Sequence, residues 1–144
     1  GKWGWINRKG DFKIQPKYEE VTDFQNGVAL FKKDGKWGMI DTLGKIVASP
    51  QFDTIWDHYT EKRTRTVQKD KLRGLIDING KLLIDIQYDS LRFIDYGLIC
   101  VLKDDLWGLI DTAGHIIFEP SFTDIPEFYD GLAWILNLEK DDGG

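Results

Sequence analysis

The sequence has few of the residues from which disulfide frameworks, metal sites and nucleophilic catalytic sites are built. One cysteine and two histidines occur among 144 residues, so no disulfide framework is available and no metal-ligand spacing is present. The single thiol, Cys100, lies in the apolar run 97–102 and is expected to be buried and inert. None of Ser49, Ser90 and Ser121 lies in a nucleophile-elbow sequence. The sequence therefore predicts no metal, no cofactor and no catalytic residues.

Long apolar runs and an excess of basic residues are also missing. No apolar run approaches the roughly 20 residues that a membrane-spanning helix needs, and no signal-peptide pattern is seen. The net charge is −5 and the pI is about 5.0. Nucleic-acid binders usually carry a basic stripe and have a high pI, so this class is not expected. The compartment stays open, with a lean toward the cytoplasm.

What the sequence does contain is four copies of one unit. Their shared glycines lie 34, 36 and 34 residues apart, at Gly4, Gly38, Gly74 and Gly108. Such periods are typical of stacked supersecondary units. We predict one repeat domain over 1–138, with an acidic and glycine-containing tail at 139–144. Since the chain begins inside a repeat, we expect it to be a fragment or a processed form. The predicted repeats are 1–34, 35–70, 71–104 and 105–138.

Each repeat predicts three β-strands. The second strand shows clear alternation, as in the apolar residues Phe12, Ile14 and Tyr18, and a glycine-containing turn joins it to the first. Asp34-Gly35 is a strong hairpin signal between the third strand of one repeat and the first strand of the next. We predict an all-β, open, solenoid-like array of four tandem three-stranded repeats, with a closed barrel or propeller-like arrangement as the alternative. The third strands are expected at 28–31, 64–67, 98–101 and 132–135.

The repeat carries the pattern Lys-Trp-Gly-x-Ile-Asp-x-x-Gly-Lys, then an alternating strand ending in Pro-x-Tyr/Phe-Asp, then Gly-Leu-Ala. This pattern resembles the WG (Trp-Gly) β-repeat family of mainly bacterial proteins, and the resemblance covers residues 1 to about 138. It implies a repeated β-structure without catalytic residues and with a role in interactions. Repeat three departs from the pattern because Arg73 stands where the signature tryptophan is expected. The signature residues present are Trp3, Gly4, Trp37, Gly38, Gly74, Trp107 and Gly108.

The Trp-Gly pair has two interpretations. On a strand, successive residues face opposite sides, so the indole covers one face while the missing Cβ lets a neighbouring chain approach the other. This structural role is the main expectation. The alternative is a row of stacking platforms for sugars or choline, which would make the protein a glycan or cell-wall binder.

The second-to-third repeat junction breaks the rule of the repeat. If Asp70-Lys71 forms a turn, Gln68 lies opposite Arg73, Thr66 opposite Leu75 and Thr64 opposite Asp77, which gives a polar seam. Arginine and large aromatic residues are common anchors of protein interfaces. We predict a partner site here for an acidic protein, although a solvated strand with a drifting repeat explains the same residues. The predicted partner-binding residues are Arg63, Arg65, Gln68, Arg73, Trp56, His58 and Tyr59.

Charge differs between the two ends of the chain. Residues 1–34 carry 7 basic and 5 acidic residues, whereas residues 105–144 carry 1 basic and 9 acidic residues. Edge strands of an open array invite pairing. Head-to-tail self-association, or ring closure within one chain, would satisfy both observations.

Asp41-Thr42-Leu43-Gly44 is similar to the Asp-Thr-Gly of aspartic proteases, but an extra residue intervenes and the segment recurs as a turn. An aspartate that hydrogen-bonds its own turn explains it better. A catalytic site also needs one unique constellation, which repetition disfavours. The sequence therefore predicts a non-enzymatic protein–protein interaction module, as part of a larger scaffold, effector or adaptor.

Overall fold

A computed structural model describes residues 1–57 and 63–134. In these ranges the chain is all-β, as predicted, with one short 3-10 helix at Asp95–Gly97. No helix in the described ranges is long and apolar enough to cross a membrane. The strands are β1 (Trp3–Ile6), β2 (Phe12–Tyr18), β3 (Glu20–Val21), β4 (Val28–Lys33), β5 (Lys36–Asp41), β6 (Ile46–Phe52), β7 (Thr54–Asp57), β8 (Thr64–Lys69), β9 (Leu72–Asp77), β10 (Leu82–Tyr88), β11 (Ser90–Ile94), β12 (Leu98–Lys103), β13 (Leu106–Asp111) and β14 (Ile116–Phe122).

The strands form four small sheets. Sheet 1 contains β1 and β2, and the three larger sheets have the orders β3-β4-β5-β6 (sheet 2), β7-β8-β9-β10 (sheet 3) and β11-β12-β13-β14 (sheet 4). Each four-stranded sheet combines the last two strands of one repeat with the first two strands of the next. None of the described sheets closes on itself, so the prediction of an open array rather than a closed barrel is confirmed.

The first three repeats contain a fourth, short strand in addition to the three predicted ones. None of the predicted strands directly follows the second strand, yet β3, β7 and β11 form there and each pairs with the following strand. In repeat one this pairing begins directly after β2, because the Glu19 amide donates a hydrogen bond to the carbonyl oxygen of Lys32 at 2.9 Å. The residues after the second strand of each of the first three repeats therefore lie at the edge of a larger sheet.

The third strand of repeat four is a correction. Leu132 forms only an isolated bridge with Tyr129, and Ala133 and Trp134 are not in a strand. In the other repeats the third strand pairs with the first strand of the next repeat. The described part of the chain offers no following strand to pair with Leu132. Ile135 and the predicted tail at 139–144 lie outside the described residues.

The register at the repeat junctions is the predicted one. In sheet 3 Gln68 pairs with Arg73 across β8 and β9, as predicted, and the two-residue turn at Asp34-Gly35 gives the equivalent pairing of Leu30 with Met39 across β4 and β5. Asp34 and Gly35 have φ of +52° and +75°, as a two-residue hairpin turn requires. The turn chemistry of the sequence therefore fixes the pairing.

The chain divides into two compact units, Gly1–Ile86 and Gln87–Gly144. The predicted single domain over 1–138 stays a prediction. In the first unit, sheet 2 is buried on both faces. Ala29, Phe31 and Ile40 pack with residues of sheet 1, namely Ile14 and Tyr18. The opposite face contributes Leu30, Met39 and Phe52 to a second cluster with Val67 and Ile76 of sheet 3. Burying one such side chain contributes about 1.5–3 kcal/mol, so these layers hold the first unit together.

The signature glycines lie where two backbones approach closely. A Cβ at Gly38 would lie 2.7 Å from the carbonyl oxygen of Ala48, and one at Gly74 would lie 2.6 Å from that of Ile84. A Cβ at Gly108 would lie 2.8 Å from the carbonyl oxygen of Phe118, and one at Gly4 would lie closer still to that of Ile14. The prediction that the missing Cβ admits a neighbouring strand is confirmed.

Candidate functional site

Three of the predicted partner-binding residues come together in sheet 3. The guanidinium of Arg73 lies 4.9 Å from the centroid of the Trp56 ring. Its Nε donates a hydrogen bond to Gln68 Oε1 at 3.3 Å. Trp56 reaches this position because β7 pairs with β8, which places it opposite Thr66. Arg73 is therefore engaged within the protein by a ring and an amide.

Arg65, another predicted partner-binding residue, is only 5% exposed. Alternate residues of a strand share a face, so Arg65 points to the same side as Val67, which belongs to the core between sheets 2 and 3. Thr64 and Thr66, on the other face of β8, are buried as well. The first residues of β8 are thus buried on both faces of the strand rather than exposed to solvent.

Of the remaining predicted residues that the structure describes, Arg63 is not part of this cluster. Arg63 is exposed and precedes β8 with a φ of +47°. His58 and Tyr59 lie outside the described residues. The prediction that this junction binds an acidic partner stays a prediction.

A second aromatic–cation pair marks sheet 2. The ammonium of Lys32 lies 5.7 Å from the ring centroid of the signature residue Trp37 and 3.7 Å from Glu20 Oε2. These three residues form a row across β3, β4 and β5, because Lys32 pairs with both Glu20 and Trp37. The signature tryptophan and a carboxylate after β2 together hold a cation.

A cleft of about 520 Å³ opens beside this row in the first compact unit. We call it the first cleft. Trp3 is 60% exposed, so the core role expected for it is not seen. It lies in a two-stranded sheet, where fewer neighbours cover the ring. Trp5 closes the cleft from the core side, since its Nε1 donates to the Thr22 carbonyl oxygen at 3.1 Å. The lining includes Trp3, Trp5, Glu20, Thr22, Asp23 and Trp37.

The second compact unit has a similar cleft of about 590 Å³, the second cleft. The signature residue Trp107 is half-buried in it, and Trp134 is largely exposed. The carboxylate of Glu127 is hydrogen-bonded within the protein, since its Oε2 accepts from the Tyr129 hydroxyl at 2.9 Å. The lining includes Arg92, Trp107, Phe122, Asp124, Glu127 and Trp134.

Sequence reasoning missed both clefts, although a signal was present. The segment Glu20-Val21-Thr22-Asp23 of repeat one recurs in repeat four as Asp124-Ile125-Pro126-Glu127. Both segments follow the second strand and place an acidic residue at each end. The shared residues of the two clefts belong to repeats one and four, which keep the family pattern, rather than to repeat three, which departs from it.

The aspartates of the repeated turn have a structural role, as predicted. Asp41 Oδ1 accepts hydrogen bonds from the amides of Leu43 and Lys45 at 2.9 and 2.8 Å. Asp111 makes the same two bonds with Ala113 and His115. The bond from the His115 amide is the main reason why the pKa of Asp111 lies below its ordinary value of 3.8. These carboxylates are already committed to their own turns.

The single cysteine and the candidate metal ligands of the described residues add no further site. Cys100 is fully buried, and burial raises the pKa of its thiol to about 11. Across residues 1–57 and 63–134 no group of three or more histidine, cysteine, aspartate or glutamate residues could hold a metal ion. The two clefts are therefore the strongest candidates for a functional surface in this part of the chain.

Comparison with known families agrees with the repeat structure. The sequence model of the WG containing repeat matches the chain four times, at residues 3–37, 37–71, 74–107 and 107–140. Comparisons with curated proteins and with solved structures gave no match. Since the four matches cover nearly all of the sequence, the chain belongs to the family of WG containing repeat proteins.

Proposed function

We propose that this chain is a non-enzymatic protein-binding module, which serves as part of a larger scaffold, effector or adaptor. One observation carries the proposal: signature tryptophans line two open clefts. The aromatic residues that end the second strands are almost completely buried, at 2–3% exposure, whereas Trp3 is 60% exposed. Tryptophan is enriched among the anchors of protein interfaces. The buried residues used for comparison are Tyr18, Phe52, Tyr88 and Phe122.

Duplication of the cleft supports binding rather than catalysis. A reaction centre needs one unique arrangement of groups, whereas a binding surface gains from repeated, similar contacts. The first and second clefts use the same signature position and the same segment after the second strand.

Cross-linking capture from a lysate of the source organism tests this proposal. A candidate partner is identified by mass spectrometry, purified and mixed with the full chain, so that binding is measured between two defined proteins. Trp3→Ser combined with Trp107→Ser is expected to weaken the reconstituted complex at least tenfold. The matched control is Leu43→Ser combined with Leu82→Ser, since both leucines are exposed and lie outside the clefts. Equal weakening by both double variants, or no complex with any purified candidate, would contradict the proposal.

Glycan or cell-wall ligand binding is the alternative, and the exposed ring of Trp3 favours it. Aromatic faces bind both sugars and choline. A panel of soluble glycans and choline should then quench tryptophan fluorescence in the wild-type chain and not in Trp3→Ser. An unchanged spectrum across the panel would remove this alternative.

An acidic partner at the sheet 3 hairpin and head-to-tail self-association both stay predictions. An acidic partner at the sheet 3 hairpin would have to compete with Trp56 and Gln68 for Arg73. Head-to-tail self-association would show as a concentration-dependent mass at low salt.

A further inference from the structure

The two clefts are built from equivalent positions of repeats one and four. Trp3 corresponds to Trp107, and both are the signature tryptophan of their repeat. The first carboxylates, Glu20 and Asp124, come two residues after the end of the second strand. The second carboxylates, Asp23 and Glu127, follow three residues later. Each cleft therefore combines the signature indole of its repeat with two carboxylates.

The other two repeats lack the complete set. Repeat three has Arg73 at the signature position, and Ser90 and Phe93 at the two acidic positions. Repeat two keeps Trp37 and the second carboxylate, but Thr54 replaces the first. The repeat without the signature ring thus also lacks both carboxylates, which indicates that the three groups act together.

Lys32 shows what a signature indole of one repeat and a carboxylate of the preceding repeat hold between them. Its ammonium lies over Trp37 and beside Glu20, and both residues line the first cleft. An indole face attracts a cation through the ring quadrupole, and a nearby carboxylate adds a direct charge interaction. The cleft chemistry is therefore suited to an ammonium or guanidinium group.

The charge of each cleft agrees with a cationic ligand. Glu20 and Asp23 are exposed in the first cleft, with Lys32 as the neighbouring cation. Asp124 and Glu127 are exposed in the second cleft, with Arg92 in the lining. Each cleft thus has two carboxylates in its lining and one basic residue in or beside it, and this charge balance favours a cationic over an anionic ligand.

We propose that the first and second clefts each bind a lysine or arginine side chain from a basic segment of the partner protein. This inference rests on the proposed protein-binding function and specifies the chemistry of the partner. The aliphatic stem of the basic side chain lies along the indole of Trp3 or Trp107, and its charged end meets the carboxylates.

The test uses the full chain and a fluorescein-labelled peptide of nine residues, with arginine alternating with glycine. Its controls are the same peptide with citrulline in place of arginine, which keeps the shape without the charge, and a glutamate version. Fluorescence anisotropy at low salt is expected to show binding of the arginine peptide, with at least tenfold weaker binding of the other two. Binding of the glutamate peptide as tight as that of the arginine peptide would overturn the inference.

A matched pair of variants assigns the binding to the clefts. The cleft variant removes four carboxylates as Glu20→Gln, Asp23→Asn, Asp124→Asn and Glu127→Gln, and about a tenfold weaker complex with the arginine peptide is expected. The control removes the same charge from exposed sites outside the clefts, as Asp34→Asn, Asp104→Asn, Asp105→Asn and Glu119→Gln. Circular dichroism confirms that both variants are folded. Equal losses in the two variants would mean that only net charge matters and would overturn the inference.

Two further results separate this inference from the function on which it rests. If the arginine peptide does not bind but a purified partner still binds through Trp3 and Trp107, the basic segment is wrong and the protein-binding function stands. If choline competes with the arginine peptide as strongly as free arginine amide does, the clefts recognise small cations in general and the commitment to a protein segment is overturned.

Discussion

Arg73 lies over the ring of Trp56, at 4.9 Å from its centroid, in the sheet where the signature tryptophan is missing. In sheet 2 the roles are reversed, since the ring belongs to the signature residue Trp37 and the cation to its cross-strand neighbour Lys32. An aromatic–cation pair is thus kept although both residues have changed position. The departure of repeat three from the family pattern is compensated by Trp56 of the preceding repeat.

The Arg73–Trp56 pair should be energetically coupled. We expect a double-mutant cycle with Arg73→Leu and Trp56→Leu to give a coupling free energy of about 1 kcal/mol, the usual size of a partly desolvated cation–π contact. Urea unfolding of the four proteins measures it. Arg8→Leu with Trp56→Leu is the control, because Arg8 is exposed in a turn of repeat one. A coupling below about 0.3 kcal/mol for Arg73 and Trp56 would show that their proximity has no energetic consequence.

The signature glycine should be intolerant of a side chain. A Cβ at Gly38 would meet the Ala48 carbonyl oxygen and the Phe31 ring, both at 2.7 Å. Because a backbone atom and a buried ring must move, Gly38→Ala is expected to lower the free energy of unfolding by about 3 kcal/mol. Gly35→Ala is the control, since its Cβ meets nothing within 4 Å but its φ is +75°. Strain alone predicts about 1–2 kcal/mol there, so a larger loss at Gly35 than at Gly38 would refute the close-approach explanation.

The repeated turn aspartate should tolerate asparagine and not alanine. Asp41 Oδ1 accepts two amide hydrogen bonds, and Asn7 makes the same pair of bonds to Lys9 and Asp11 in repeat one. We expect Asp41→Ala to cost about 1–2 kcal/mol in thermal or urea unfolding and Asp41→Asn much less. An equal cost for the two variants would mean that the carboxylate charge, rather than the oxygen acceptor, stabilises the turn.

Much of the fold was predictable because its determinants are local. Alternation gave the second strands, and Asp34-Gly35 gave the hairpin and the pairing of Leu30 with Met39. The burial of Arg65 was not predictable, since the sequence does not reveal that sheet 3 is covered on both faces of β8. The strand expected at 132–135 is not formed over its described residues 132–134 for a similar reason, because its pairing depends on a neighbour rather than on its own composition.

The candidate site was harder to predict than the fold. The residues of each cleft come from segments that touch only after the sheets have formed, as for Trp3 and Asp23. The polar residues around Arg73 attracted attention because they break the pattern, yet the structure shows that Arg73 is engaged internally. Comparing the four repeats position by position would have found the shared carboxylates of repeats one and four.

Asp111 should contribute to acid sensitivity. Hydrogen bonds, chiefly from the His115 amide, hold the pKa of Asp111 below 3.8 in the folded state. A lowered folded pKa means that the contribution to stability is present above the unfolded pKa and is lost as the pH falls through the folded value. We therefore expect the urea midpoint of the wild type to fall more steeply below pH 4 than that of Asp111→Asn. Parallel pH profiles for the two proteins would contradict this role.

The central claim is that the two tryptophan clefts, rather than the Arg73 junction, form the binding surface. Hydrogen–deuterium exchange of the full chain, with and without its purified partner, tests it most directly. If the clefts bind the partner, exchange in the complex is expected to be slower at the amides of 20–23 and 124–127, with little change at 63–73. Protection confined to 63–73, with the two cleft segments unchanged, would contradict binding at the clefts and place the partner site at the junction between repeats two and three.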